Sequence, residues 1–264
     1  MKAIKNFLFI TEGSEDEQTV LEKILNKYGF HTCVNHTFIN AEGLKNTELS
    51  LKKDNVVIIQ GPRNRISDFI KHFNKQQEDI ESFFHYAKNH FQAIFLFYDV
   101  DHNEPDEINK MHALFNDESS GMLLLSSPCL EVLGDFDLKR QPLFYHHLSE
   151  YKHELNTYHN HNNKTNTINY IVDNFEQLVI HYLDKNRNDF NADNIMEHPN
   201  LVIPLINRLN DRINKEKCEE SYVVYRYFTT VLYVAIAYIN GLTRMVDNYQ
   251  MVRDFFVSMA KKTS

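Results

Sequence analysis

The stretch that most restricts this chain's fold is Phe91–Asn103, FQAIFLFYDVDHN. Its apolar run, Ala93–Tyr98, is short, rich in aromatic and branched residues, and closed by polar residues on both sides. Such a run reads as a β-strand with no face to offer water, and a strand of that kind belongs in a parallel sheet covered by helices. It leads directly into Asp99-Val100-Asp101. Side chains alternate along a strand, so the two aspartates project the same way while Val100 turns back toward the core. Two carboxylates on one face repel each other unless a cation bridges them, and Mg²⁺ is the usual partner. A solvated acidic turn would carry the same letters, so the rest of the chain has to decide.

Three more short apolar runs accompany this one. Phe7–Thr11 ends in Glu12-Gly13, after which Ser14 and Glu17 have capping-box spacing and Val20, Leu21, Ile24 and Leu25 form a helical stripe ending near Gly29. Residues 31–55 are weakly patterned and polar. Asn55–Gln60 is the next strand, followed by Gly61-Pro62-Arg63-Asn64-Arg65 and an amphipathic helix from Ile66 to about Asn89. After the D-x-D strand come a charged loop, a short helix over Ile108–Phe115, and a fourth strand, Gly121–Ser126, running into Ser127-Pro128-Cys129-Leu130-Glu131. Strands alternating with helices pair in parallel through right-handed crossovers, so residues 1–150 are expected to form an α/β domain with a Rossmann-like parallel sheet. In such sheets the chemistry lies beyond the carboxyl ends of the strands. Glu12, Asp99, Asp101 and Glu131 each follow a strand, which gathers carboxylates from separate loops at one edge.

From about Asn156 the composition changes to TYHNHNNKTNT, a polar boundary, and residues 151–264 are expected to form an α-helical subdomain. Helices are predicted over Ile168–Leu183, Leu201–Lys215, Glu219–Asn240 and Thr243–Met259. The third is apolar around almost its whole circumference, as in the centre of a bundle or an interface, so a homo-oligomer or a docked partner is expected. Its most apolar stretch, Tyr227–Ile239, is too short to span a bilayer, and no membrane association is expected. Cys33, Cys129 and Cys218 are widely spaced and show neither a disulfide framework nor zinc-ligand spacing, which fits a reducing cytoplasm. A net charge of −8 excludes a broadly basic nucleic-acid coat while leaving room for a local basic site. His146, His147, His153, His159 and His161 lack metal-ligand spacing and read as a polar linker. Arg63 and Arg65, at a strand end and a helix start, are candidates for binding a phosphate.

A strand ending in Glu-Gly, a helix, and a later strand ending in D-x-D resembles the TOPRIM domain of topoisomerases, primases and OLD-type nucleases. The matching segments are FLFITEGSEDE and IFLFYDVDHN, and Asp16 fits the E-G-x-x-[DE] pattern of the nuclease branch. SSPCLEVL resembles the Pro-x-x-Glu stretch of RloB-like proteins. The resemblance covers about half the chain. It implies a nuclease dependent on Mg²⁺ or Mn²⁺ that cuts RNA or DNA, with Asp99 and Asp101 as metal ligands and Asp16 and Glu131 as further ligands. Glu12 would be a ligand or a general acid/base. Similar stand-alone TOPRIM proteins are toxic effectors in anti-phage systems of the PARIS type and are controlled by an ATPase partner. OLD-type enzymes also use a basic residue downstream, for which Lys139 and Arg140 are the candidates here. Two other classes stay open on the residues alone. A sugar-nucleotide transferase also holds metal with D-x-D but leaves Glu12-Gly13 unexplained. A non-catalytic interaction subunit would have no reason to retain mutually repelling carboxylates.

Overall fold

The computed structural model describes residues 3–13, 15–62, 66–75, 77–100, 103–117, 121–127, 130, 149–150, 153, 157, 164–175 and 228–229. The chain divides into two compact units, Met1–Leu125 and Ser126–Ser264.

The first unit is an α/β fold. Its elements are β1 (Asn6–Thr11), α1 (Asp16–Lys27), β2 (His31–Asn35), α2 (Ala41–Lys45), β3 (Asn55–Gln60), α3 (Ile66–Lys75), α4 (Gln77–His90), β4 (Ala93–Asp99), α5 (Pro105–Leu114), β5 (Asn116–Asp117) and β6, which begins at Gly121 and runs to Ser127. The strand order is β2-β3-β1-β4-β6-β5. β1 lies at the centre, parallel to β3 on one side and β4 on the other, with Thr11 opposite both Gln60 and Phe97. β2 is parallel to β3, and β5 is antiparallel to β6.

The burial of β1, β3 and β4 follows from their sequences. Phe7–Ile10, Val56–Ile59 and Ala93–Tyr98 are all buried, so each strand needs cover on both faces. Parallel register puts Phe9 beside Phe95, and their rings stack at 4.9 Å. On the opposite face of β4, Tyr98 meets Phe69 of α3 edge-on, and Phe69 in turn meets Phe115. Right-handed crossovers send α1 over one face, because the chain moves from β1 to β2, and α2 to α5 over the other, because it then moves back toward β4 and β6. The packing agrees. α1 touches β2 and β3, while α2 touches α4, and α3 touches both α4 and α5.

The expected strands and α1 appear where the apolar runs place them, and α1 stops as Gly29 predicts. Gly29 has φ 88°, its N–H donates to the Asn26 carbonyl (3.0 Å), and Phe30 N–H donates to the Leu25 carbonyl (3.1 Å). That pair of bonds satisfies two carbonyls the helix leaves open at its end. Several details differ. α1 begins at Asp16 with Glu15 as N-cap and no side-chain cap hydrogen bond at that residue, and Ser14 of the expected capping box lies outside the described residues. The polar stretch after α1 contains β2 and α2. Among the described residues β2 (HTCVN) pairs with β3 along one side only, and it is half-buried, so it never needed an apolar run. The helix expected from Ile66 to about Asn89 is two helices, α3 and α4.

In the second unit, α6 (Lys164–Asp173) overlaps the first helix expected there and buries Ile171, with Phe175 buried just beyond its end. The helix expected over Glu219–Asn240 is corrected at two positions. Phe228 and Thr229 form a short strand, β7, antiparallel to Ser127 and Ser126. A residue whose N–H and C=O enter a ladder cannot also supply them to a helix. The rest of that segment, and the segments Leu201–Lys215 and Thr243–Met259, lie outside the described residues.

Candidate functional site

The sheet's connections pick out one place on its carboxyl edge. From β1 the chain crosses toward β2, whereas from β4 it crosses the opposite way toward β6. Neighbouring parallel strands whose connections diverge leave a crevice between their carboxyl ends, and ligands of open α/β sheets bind there. Here that crevice lies between Glu12 and Asp99.

Glu12 holds the crevice together. Its backbone N–H donates to the Phe97 carbonyl (2.8 Å), the last regular rung of the β1–β4 ladder. In a parallel ladder the next rung would run from Asp99 N–H to the Glu12 carbonyl. Instead, Asp99 N–H donates to the Glu12 side chain, at 2.8 Å from Oε2. The carboxylate thus replaces a main-chain acceptor at the point where β1 turns away, and a charge-assisted bond of this kind is stronger than the rung it replaces. Thr11, fully buried, fixes the turn that follows. Its Oγ1 lies 2.6 Å from the Gly13 carbonyl and 3.2 Å from that of Ile59, and its one proton serves the nearer. A Cβ at Gly13 would meet the Glu17 carboxylate, the far end of a flexible side chain that can shift to admit it.

Asp99, the last residue of β4, is buried at 7% exposure. Asn103, fully buried, braces the β4 end from behind. Its Nδ2 donates to the Asp99 carbonyl (2.7 Å), its Oδ1 accepts from Ile66 N–H at the start of α3 (2.9 Å), and its own N–H donates to the Val100 carbonyl (3.2 Å). Sequence reading treated Asn103 as part of a charged loop. The only signal was an amide residue close behind a strand end, the position from which a side chain can satisfy the strand's last carbonyl. The second bond also bears on the phosphate reading of the Gly61–Arg65 turn. The first N–H of α3 is already taken by Asn103, so it is not on offer to an anion.

Beneath Glu12 lies Tyr98, fully buried, whose Oη has no hydrogen-bond partner among the described residues. Burial first, and the Glu12 charge second, push its phenol well above its ordinary value. Gly61 makes room for it, since a Cβ there would stand 2.7 Å from Tyr98 Oη and 3.2 Å from the Thr11 carbonyl oxygen.

The structure therefore brings Glu12 and Asp99 together. Asp16 stands half-buried in the first turn of α1. Arg63, Arg65, Asp101, Glu131, Lys139 and Arg140 lie outside the described residues, as do His146, His147, His159 and His161, while His153 is exposed. Among the described residues no three His, Cys, Asp or Glu side chains stand close enough to hold a metal ion. Mg²⁺ commonly uses one or two carboxylates and fills its remaining positions with water and substrate oxygens, which is the number of carboxylates that Glu12 and Asp99 could supply. Among the described residues no helix is long and apolar enough to cross a membrane. No family model, no curated protein and no solved structure matches the chain.

Proposed function

We propose that this chain is a metal-dependent nuclease of the TOPRIM type, cutting phosphodiester bonds in RNA or DNA. The observation that supports the reading best is the hydrogen bond from Asp99 N–H to the Glu12 carboxylate in the crevice between β1 and β4. It fixes one carboxylate against the backbone of the residue that carries the other. Asp99, with Asp101 beside it in sequence, would hold Mg²⁺ or Mn²⁺, and Glu12, Asp16 and Glu131 would complete the set. A divalent ion bound there would neutralise phosphoryl charge and lower the pKa of a bound water. Glu12 has two roles open to it, as ligand or as the group that takes a proton from the attacking water. Lys139 or Arg140, with Arg63 and Arg65, would meet the nucleic-acid phosphates. The biological reading that goes with this activity is a cytoplasmic toxic effector in anti-phage defence, working as a homo-oligomer under an ATPase partner.

Incubating purified protein with plasmid, oligonucleotides and total RNA in Mg²⁺, Mn²⁺ or EDTA tests the activity. Cleavage is expected with either metal and none in EDTA. Asp99→Asn keeps the shape of the side chain and removes its charge, so cleavage should be crippled while the melting temperature in EDTA stays equal or rises slightly as carboxylate repulsion is relieved. Full cleavage by the Asp99→Asn/Asp101→Asn double variant would refute the assigned roles.

A further inference from the structure

We infer that Asn103 is the positioning residue of this site, tying the acidic end of β4 to the start of α3 so that the two move as one body. The inference rests on the metal reading above. Three observations carry it. Asn103 is fully buried although it follows a strand end in a charged loop. Its side-chain amide is used at both ends, donating at 2.7 Å to the Asp99 carbonyl and accepting at 2.9 Å from Ile66 N–H. Its backbone N–H donates to the Val100 carbonyl, a main-chain bond that adds to the side-chain bond to Asp99. The carboxamide supplies a donor and an acceptor from one rigid plane, which serves both partners at once. In sequence, Ile66 directly follows Gly61–Arg65, the segment that contains both candidate phosphate-binding arginines. One residue thus joins the backbone of Asp99 to the first N–H of α3.

Asn103→Asp separates positioning from charge. It keeps the acceptor for Ile66 N–H and sets a carboxylate oxygen against the Asp99 carbonyl. By charge alone, an added carboxylate at an acidic edge tightens cation binding. Through lost positioning, it weakens it. Binding is read directly as the loss of the free Mn²⁺ electron paramagnetic resonance signal on titration with the full chain, without reference to activity. We expect Asn103→Asp to bind Mn²⁺ at least tenfold more weakly than wild type. Asn103→Ser, too short to span both partners, should weaken it likewise. Equal or tighter binding by either folded variant overturns the inference while leaving the metal reading intact. Wild type that binds no Mn²⁺ overturns the metal reading and this role with it. A second measurement needs no variant. Mn²⁺ added to wild type should slow amide exchange at Val100–Asn103 and at Ile66–Phe69 together, and protection confined to the first segment would overturn the coupling.

Discussion

Removing a single oxygen from Tyr98 should make the protein more stable. The ring is fully buried and packs edge-on to Phe69 at 6.2 Å, which Phe at this position preserves. The hydroxyl is different, because it has left water without gaining a hydrogen-bond partner among the described residues. A buried polar group left in that state costs roughly 1–3 kcal/mol. Losing the oxygen leaves a void smaller than a methyl group, which gives back part of the gain. The net for Tyr98→Phe is about +1 kcal/mol, or ~4 °C in melting temperature for a unit of this size. In urea the midpoint should rise with an unchanged slope, since the surface exposed on unfolding is the same. Alkaline pH adds a second readout. The phenol's ordinary value is 10.0 and the folded value lies well above it. Above pH 10 the unfolded chain therefore releases the proton while the folded one keeps it, and wild-type stability falls with rising pH. Tyr98→Phe lacks that term, so its advantage should widen above pH 10. A variant that loses more than about 1 kcal/mol would show that the hydroxyl has a partner and that this reasoning is wrong.

The neighbouring glycine gives a linked test. Gly61→Ala should destabilise by about 1–3 kcal/mol, because its Cβ would stand 2.7 Å from Tyr98 Oη, and adding Tyr98→Phe should recover most of that loss, as a double-mutant cycle would register. Gly121 has φ 114°, and a Cβ there would lie 2.8 Å from Leu96 and 2.9 Å from Phe115, so Gly121→Ala should cost about 2 kcal/mol or more in denaturant unfolding. At Cys33, burial first and the Glu48 charge second push the thiol up. Peptide mapping at pH 8 should find Cys33 alkylated more slowly than in the unfolded chain and faster in Glu48→Gln, since the thiolate is the reacting form.

The sheet's interior was legible in the sequence because its strands are buried on both faces. Burial of that kind demands unbroken apolar runs, and Phe7–Ile10, Val56–Ile59 and Ala93–Tyr98 supply them. Residues at the ends of such runs were legible too, because a charge can stand only where the strand leaves the core, and that rule alone picked out Glu12 and Asp99. β2 escaped because an edge strand shares its burial with solvent and needs no pattern. The helix read across 219–240 failed at Phe228 and Thr229 for a related reason. An apolar stretch says only that a segment is buried, and it is pairing with Ser127 and Ser126 that makes those two residues extended. No local rule could join Glu12 to Asp99 across 87 positions or Asn103 to Ile66 across 37. Local patterning determines which residues leave water and where each strand ends. Which strand ends become neighbours depends on strand order and crossover hand, long-range choices whose free energy comes from packing the whole sheet. Only once that packing was made did a glutamate become the acceptor for another strand's N–H and an asparagine the brace behind it.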